Sequence, residues 1–197
     1  MGKCVHESLE YLYNSVLEGK IPLFDHVIDR YNSIWNKKWH KRIAIVYSNF
    51  NSDYYRLLGE RCIARYYRMN SPFNENIVAN EIKIEFSLNG NDNYRFITRI
   101  DRLDHDGNGN WEIHDYKSGK KAYTQNQADK DEQLALYQLA LLSIEDEINS
   151  VKLIWHFLQH GIEIHSERTN RWHLRNSRSL PIQKQISAGH HSTRRYP

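Results

Sequence analysis

Cysteine is scarce in this chain, with Cys4 and Cys62 the only two among 197 residues. Two cysteines are too few for a disulfide framework or a cysteine-rich metal cluster. Long apolar runs are missing as well, because no stretch approaches the roughly 18 apolar residues of a membrane span. His6 and Glu7 also interrupt the start of the chain, where an export signal needs an unbroken apolar segment. We therefore expect a reduced, cytoplasmic protein without a membrane partner.

Acidic residues are absent from the last part of the chain. Residues 171–197 hold six Lys or Arg and no acid, so the net charge of +3 leaves −3 for the first 170 residues. The overall charge therefore says little about a nucleic-acid partner. With 40% hydrophobic residues, the composition is that of one globular domain. We predict a domain at residues 1–170 and a basic, poorly packed tail at residues 171–197.

Hydrophobic periodicity predicts helices in the first 70 residues and mainly strands after them. The predicted helices span residues 3–18, 22–39, 52–69 and 129–147, with the third capped near Ser52 or Asp53. The predicted strands span residues 81–88, 94–103, 110–118, 151–158 and 162–168, the last two forming a hairpin. This order predicts an α/β fold.

Two acids stand out on the predicted strands beside a Gly-Asn-Gly turn centred on Asn108. In an antiparallel hairpin symmetric about Asn108, Asp101 lies directly opposite Asp115, with Cβ atoms about 5 Å apart. Like charges in this arrangement destabilise a sheet, and a divalent cation between them reverses the effect. Lys117 shares the face of Asp115 because side chains alternate along a strand. Two carboxylates and an ammonium group thus converge.

Oxygen ligands without thiols suit Mg²⁺ or Mn²⁺. A divalent cation beside a lysine is suited to the hydrolysis of a phosphodiester. The same pattern also fits two exposed acids on a solvated sheet face with an unrelated lysine. The residues alone leave both interpretations open.

Five segments in this order resemble the PD-(D/E)XK nuclease superfamily: "GKCVHESLE", "NEIKIEF", "ITRIDRLD", "IHDYKSGK" and "QLALYQLAL". The resemblance is strongest to the RecB-like branch, which includes nuclease domains of recombination helicase-nucleases and CRISPR-adaptation exonucleases. It covers about residues 2–168. It implies a restriction-endonuclease-like fold, in which helices flank a mixed central sheet, with an extra helical portion at residues 20–70.

The resemblance also implies roles for matching residues. Asp101 and Asp115 resemble the metal-binding acids, and Lys117 resembles the catalytic lysine that positions the attacking water. His6 resembles an additional metal ligand, although a lone helical histidine is usually structural. The backbone carbonyl of Tyr116 corresponds to one that faces the metal in relatives.

Four further residues are predicted to support this site. Gln133 and Tyr137 match a Gln-x-x-x-Tyr motif that lies beside the active site and holds the lysine or the DNA. Glu10 shares a helix face with His6 and could orient its imidazole. Glu81 resembles the acid that opens the first strand. The alternatives are an apolar-stripe role for Tyr137 and an edge-strand charge for Glu81.

The resemblance implies a DNA nuclease that uses Mg²⁺ or Mn²⁺, digests single strands or DNA ends, and acts in repair, recombination or CRISPR adaptation. A helicase or a CRISPR or repair protein is the expected partner. No iron–sulphur cluster is expected, because the required cysteines are missing. The alternative is a catalytically idle nucleic-acid-binding module, which the intact Asp-x-Lys disfavours. A small-molecule phosphoesterase is disfavoured because no glycine-rich phosphate loop is present.

Overall fold

The structure is a computed structural model that describes residues 1–47, 49–87, 94–145 and 147–169. The predicted tail at residues 171–197 and the domain boundary at residue 170 lie outside the described residues. Among the helices in the described part, none is long and apolar enough to cross a membrane. The elements of this part are α1 (Gly2–Leu17), α2 (Phe24–Lys38), α3 (Ser52–Asn70), β1 (Ile77–Ser87), β2 (Arg95–His105), β3 (Asn110–Lys117), α4 (Gln125–Asp129), α5 (Glu132–Ile144), β4 (Ser150–Phe157) and β5 (Ile162–Thr169).

The N-terminal helices follow their apolar periodicity with small corrections at their ends. Val5, Leu9 and Leu12 are buried along α1, as their spacing predicts. The sequence predicted a cap of α3 near Ser52 or Asp53, and the structure places it one residue before Ser52. The cap is Asn51, whose side chain accepts a 2.8 Å hydrogen bond from the backbone N–H of Tyr54. An Asn at this position satisfies a donor that the first turn leaves free.

The five strands form one mixed sheet in the order β1-β2-β3-β4-β5, which confirms the predicted fold class. Only the β3–β4 pair is parallel, and the other three pairs are antiparallel. A parallel pair needs a crossover, and α4 and α5 provide it. The sequence did not predict α4, whose five residues are too few for a period, although Thr124 and Gln127 form a capping box at its start.

The β2–β3 hairpin has the register predicted from its turn. Arg102 pairs with His114 and His105 pairs with Trp111, so the hairpin is symmetric about Asn108. The ladder ends at Arg102 and His114, one step before Asp101 and Asp115. There the backbone N–H of Tyr116 donates to Asp101 Oδ2 at 2.6 Å instead of to a backbone carbonyl. The two strands therefore separate at the level of the two acids.

Two apolar cores cover the two faces of the sheet. Helices α1, α2 and α3 form one core, in which Leu9, Tyr31 and Ile63 are fully buried. Helix α5 packs over the other face, against β1 and β2, and its buried residues share a second core with Leu153 and Trp155 of β4. The extra helical portion at residues 20–70 thus shares a core with α1.

Candidate metal-dependent active site

Three acids stand in one row across three neighbouring strands. In the β1–β2 pair Asn80 lies opposite Arg102 and Ile82 opposite Ile100, so Glu81 is opposite Asp101. Extended by one residue beyond its last pair, the hairpin register places Asp115 next to Asp101, where the backbone N–H of Tyr116 donates to Asp101. The sequence predicted Asp101 opposite Asp115 and named Glu81 as a supporting residue, and the β1 register accounts for its position on the other side of Asp101.

His6 of α1 completes a compact cluster with two of these acids. One ligand atom each from His6, Glu81 and Asp101 lies within 4.8 Å of the other two. His6 Nδ1 is 3.4 Å from Asp101 Oδ1, and Asp101 is buried. An imidazole nitrogen and two carboxylates without a thiol form a donor set that suits a divalent cation.

Glu81 has a backbone conformation that is unusual for a residue in a strand. Its φ is +52°, in the left-handed region that residues with a side chain rarely adopt in a strand. Such a conformation costs about 1–3 kcal/mol and is found preferentially at functional sites. The Arg99 guanidinium lies 3.6 Å from Glu81 Oε2 and partly neutralises it.

Burial and the charge of Asp101 raise the pKa of the acids on both sides of it, Glu81 and Asp115. Burial raises the pKa of Glu81, and the charges of Asp101 and Glu10 add to the effect. Burial also raises the pKa of Asp115, which Lys117 opposes and Asp101 reinforces. A bound cation would relieve both the burial and the repulsion. The donor set and its electrostatics therefore fit a divalent metal.

The pKa of His6 reports the same surplus of negative charge. Burial alone lowers this pKa, but the hydrogen bond and the charge of Asp101 outweigh burial and leave the pKa raised. Glu10, which was expected to orient the His6 imidazole, lies one turn further along α1. The polar partner of His6 in the structure is Asp101.

Asp115 belongs to a second group of contacts, made with its own strand and with α5. Its Oδ2 lies 2.7 Å from Lys117 Nζ, and its Oδ1 accepts a 3.0 Å hydrogen bond from the Tyr137 hydroxyl. Gln133 connects the group, because its Oε1 accepts from Lys117 at 2.9 Å and its Nε2 donates to Tyr137 at 2.6 Å. The Gln-x-x-x-Tyr pair thus fixes both the acid and the lysine.

A polar cluster that the sequence analysis did not identify lies between the sheet and helices α1 and α3. Arg102 is 1% exposed and contacts Asp104 at 3.1 Å, and the same nitrogen lies 2.9 Å from His114 Nε2. Asp104, Glu112 and His114 are close enough together to hold a cation. The Arg102 guanidinium already neutralises this group, so we interpret it as structural. Alternation of polar residues along β3 was the signal that could have indicated it.

A sequence model of the PD-(D/E)XK nuclease superfamily matches residues 1–186. The match includes every element from α1 to β5 and continues into the first part of the predicted tail. None of the curated proteins is similar enough in sequence to give a match.

Proposed function

Because the chain belongs to the PD-(D/E)XK nuclease superfamily, we propose that it is a divalent-metal-dependent nuclease that hydrolyses DNA. The observation that carries the proposal is the row of Glu81, Asp101 and Asp115, with Lys117 ion-paired to its last member. A coincidental row of three acids would destabilise the sheet by repulsion. A cation site gives the arrangement a physical reason.

His6, Glu81 and Asp101 would hold the cation, and Asp115 and the Tyr116 carbonyl are the further ligands that the resemblance implies. When bound, the cation polarises the phosphodiester and lowers the pKa of water. Mg²⁺ and Mn²⁺ are the ions that suit these oxygen donors. The N–H of Tyr116 orients Asp101 by donating to Oδ2.

Lys117 brings a positive charge to the place where negative charge develops on the phosphate. Asp115 and Gln133 hold its ammonium group from two sides, at 2.7 and 2.9 Å. A pre-positioned donor of this kind contributes about 10²–10³ in rate. Tyr137 takes part indirectly, because its hydroxyl donates to Asp115.

The finer assignment follows the resemblance to the RecB-like branch. We propose digestion from DNA ends or of single strands in the cytoplasm, with a role in repair, recombination or CRISPR adaptation beside a helicase or another protein of such an assembly. The two buried cysteines, Cys4 and Cys62, are too few to hold an iron–sulphur cluster.

The test is incubation of the full chain with end-labelled linear and circular DNA, each single- and double-stranded, in Mn²⁺, Mg²⁺ or EDTA. We expect cleavage of linear single strands in Mn²⁺ or Mg²⁺ and none in EDTA. Cleavage of circles at the same rate would overturn the end-dependent assignment. A chain that binds DNA but leaves every substrate intact in both metals would be the idle module instead.

A further inference from the structure

The connection between α2 and α3 combines basic and aromatic residues. Between Asp29 and Asp53 the chain holds five Lys or Arg and no acid. Four of these basic residues fall within residues 37–42, and three aromatic rings follow at Tyr47, Phe50 and Tyr54. We refer to residues 37–47 and 49–54 as the basic-aromatic segment. A basic stretch combined with aromatic rings is typical of surfaces that bind single-stranded nucleic acids.

This segment begins beside the candidate active site. Lys38, the last residue of α2, forms an ion pair with Glu7, which directly follows His6 in α1. Tyr47 comes nine residues after Lys38, so the Cα atoms of the two residues are at most about 32 Å apart. A strand of nucleic acid that lies on the segment therefore has one end near His6.

Three positive charges of the segment are not neutralised by ion pairs with the described residues. Lys37, Lys41 and Arg42 are exposed, and none of the three forms an ion pair with another described residue. Lys83 and Lys152, by contrast, are paired with nearby acids. Unpaired cations beside an acid-rich site complement the phosphates of a substrate.

The aromatic rings form a cluster in which Tyr47 and Phe50 are exposed and Tyr54 is half-buried. The Phe50 and Tyr54 rings are stacked with their centroids 4.0 Å apart and their planes at 12°. Tyr47 meets Phe50 edge-on at 6.2 Å and is itself 66% exposed. Nucleic-acid bases stack on such rings whatever their sequence, because every base has a π-face.

The stack is attached to a firmly anchored helix. Arg56 of α3 donates to Asn32 of α2 at 3.3 Å and to Glu60 at 2.6 Å. The Tyr31 hydroxyl donates to the Arg56 carbonyl at 3.1 Å, where Gly59 leaves room for the ring. Tyr54, and Phe50 stacked on it, are thus held in place before a ligand arrives, which lowers the entropy cost of binding.

We propose that the basic-aromatic segment binds the single-stranded DNA that enters the active site. Lys37, Lys41 and Arg42 contact its phosphates, and Tyr47, Phe50 and Tyr54 stack with its bases. Single strands are favoured over duplexes because only unpaired bases expose their faces to the rings. The inference deepens the proposed function by naming the surface that selects the substrate.

The test measures binding without hydrolysis, by fluorescence anisotropy of labelled single- and double-stranded DNA in EDTA with the full chain. Tyr47→Ala should weaken single-strand binding about tenfold, within the range that one stacked base contributes. Tyr47→Phe keeps the ring and should bind like the wild type, as should Leu23→Ala, which removes an exposed side chain at the other end of α2. The Lys37→Ala, Lys41→Ala, Arg42→Ala triple variant should reduce the slope of log affinity against log salt by about 2.

Unchanged single-strand binding in both Tyr47→Ala and the triple variant would overturn the inference, as would an equal loss of duplex binding in Tyr47→Ala. If the wild type still cleaves DNA in Mn²⁺ after either of these outcomes, the binding surface is wrong and the proposed nuclease function stands. If the wild type cleaves nothing while Tyr47→Ala still loses single-strand binding, the binding surface stands and the proposed nuclease activity fails.

Discussion

Consecutive residues of β3 lead into two polar clusters of opposite character. His114 points towards helices α1 and α3 and joins Arg102 and Asp104, whose charges cancel. Asp115 points towards α5, where Lys117 is its ionic partner. His114 and Asp115 are both buried, and both belong to the same hairpin, so burial alone does not distinguish a structural cluster from a functional one.

The difference lies in the balance of charge. Near Asp115 the row contains two more acids, Glu81 and Asp101, and the pKa of Glu81 is raised by burial and by Asp101. A balanced cluster is complete without a ligand, whereas a cluster with surplus acids requires a cation to offset the repulsion. Removing a charge should therefore have opposite consequences in the two places.

The largest effect on stability is expected from Arg102→Met. This change leaves Asp104 buried without its partner, which should lower the free energy of unfolding by about 3–5 kcal/mol. Urea unfolding in EDTA measures this loss. Arg95→Met is the control, because Arg95 forms an exposed ion pair with Glu85 that solvent screens. A loss as small as that of the control would show that the balanced cluster contributes little.

The next effect concerns catalysis. Lys117→Ala should lower the single-turnover rate of DNA cleavage by about 10²–10³ at saturating Mn²⁺, because the developing phosphate charge loses its donor. Lys152→Ala removes a lysine that is ion-paired with Glu112 outside the site and should leave the rate unchanged. A Lys117→Ala rate within a few-fold of the wild type would remove Lys117 from the mechanism.

A smaller effect on stability is expected from the strained backbone at Glu81. Glycine adopts the φ of +52° without a steric cost, so Glu81→Gly should be more stable than Glu81→Ala by about 1 kcal/mol. In an ordinary strand position the order is reversed, because glycine is then the less stable residue. Urea unfolding of the two variants in EDTA measures the sign, and the ordinary order would contradict the strained backbone.

The last effect is a pH dependence next to the balanced cluster, where His156 Nε2 lies 2.9 Å from His114 Nδ1. A hydrogen bond from His156 lowers the pKa of Glu163 from 4.5 to about 2. A carboxyl with a lowered folded-state pKa adds stability above its unfolded value and loses it as the pH falls. Glu163→Gln should therefore be less stable than the wild type at pH 6, and the gap should close between pH 4.5 and about 2. Unfolding curves across this range with a constant gap would argue against the His156 contact.

The sequence predicted the parts of the fold that local patterns determine. The Gly-Asn-Gly turn set the β2–β3 register, and apolar spacing located α1 and the final β4–β5 hairpin. The position of Glu81 opposite Asp101 was beyond such reasoning, since it depends on the β1 register and on a left-handed residue within the strand. Arg102 was missed because arginine usually indicates a surface, and only the tertiary packing buries it.

The central claim is that the acid-rich row holds a divalent cation, and calorimetric titration with Mn²⁺ tests it most directly. We expect the wild type to bind about one ion per chain and Asp101→Asn to bind at least about tenfold more weakly, because a ligand loses its charge. Asp25→Asn, which changes an exposed acid on α2, should bind like the wild type. A wild type that binds no Mn²⁺, or an Asp101→Asn variant that binds it equally well, would contradict the account.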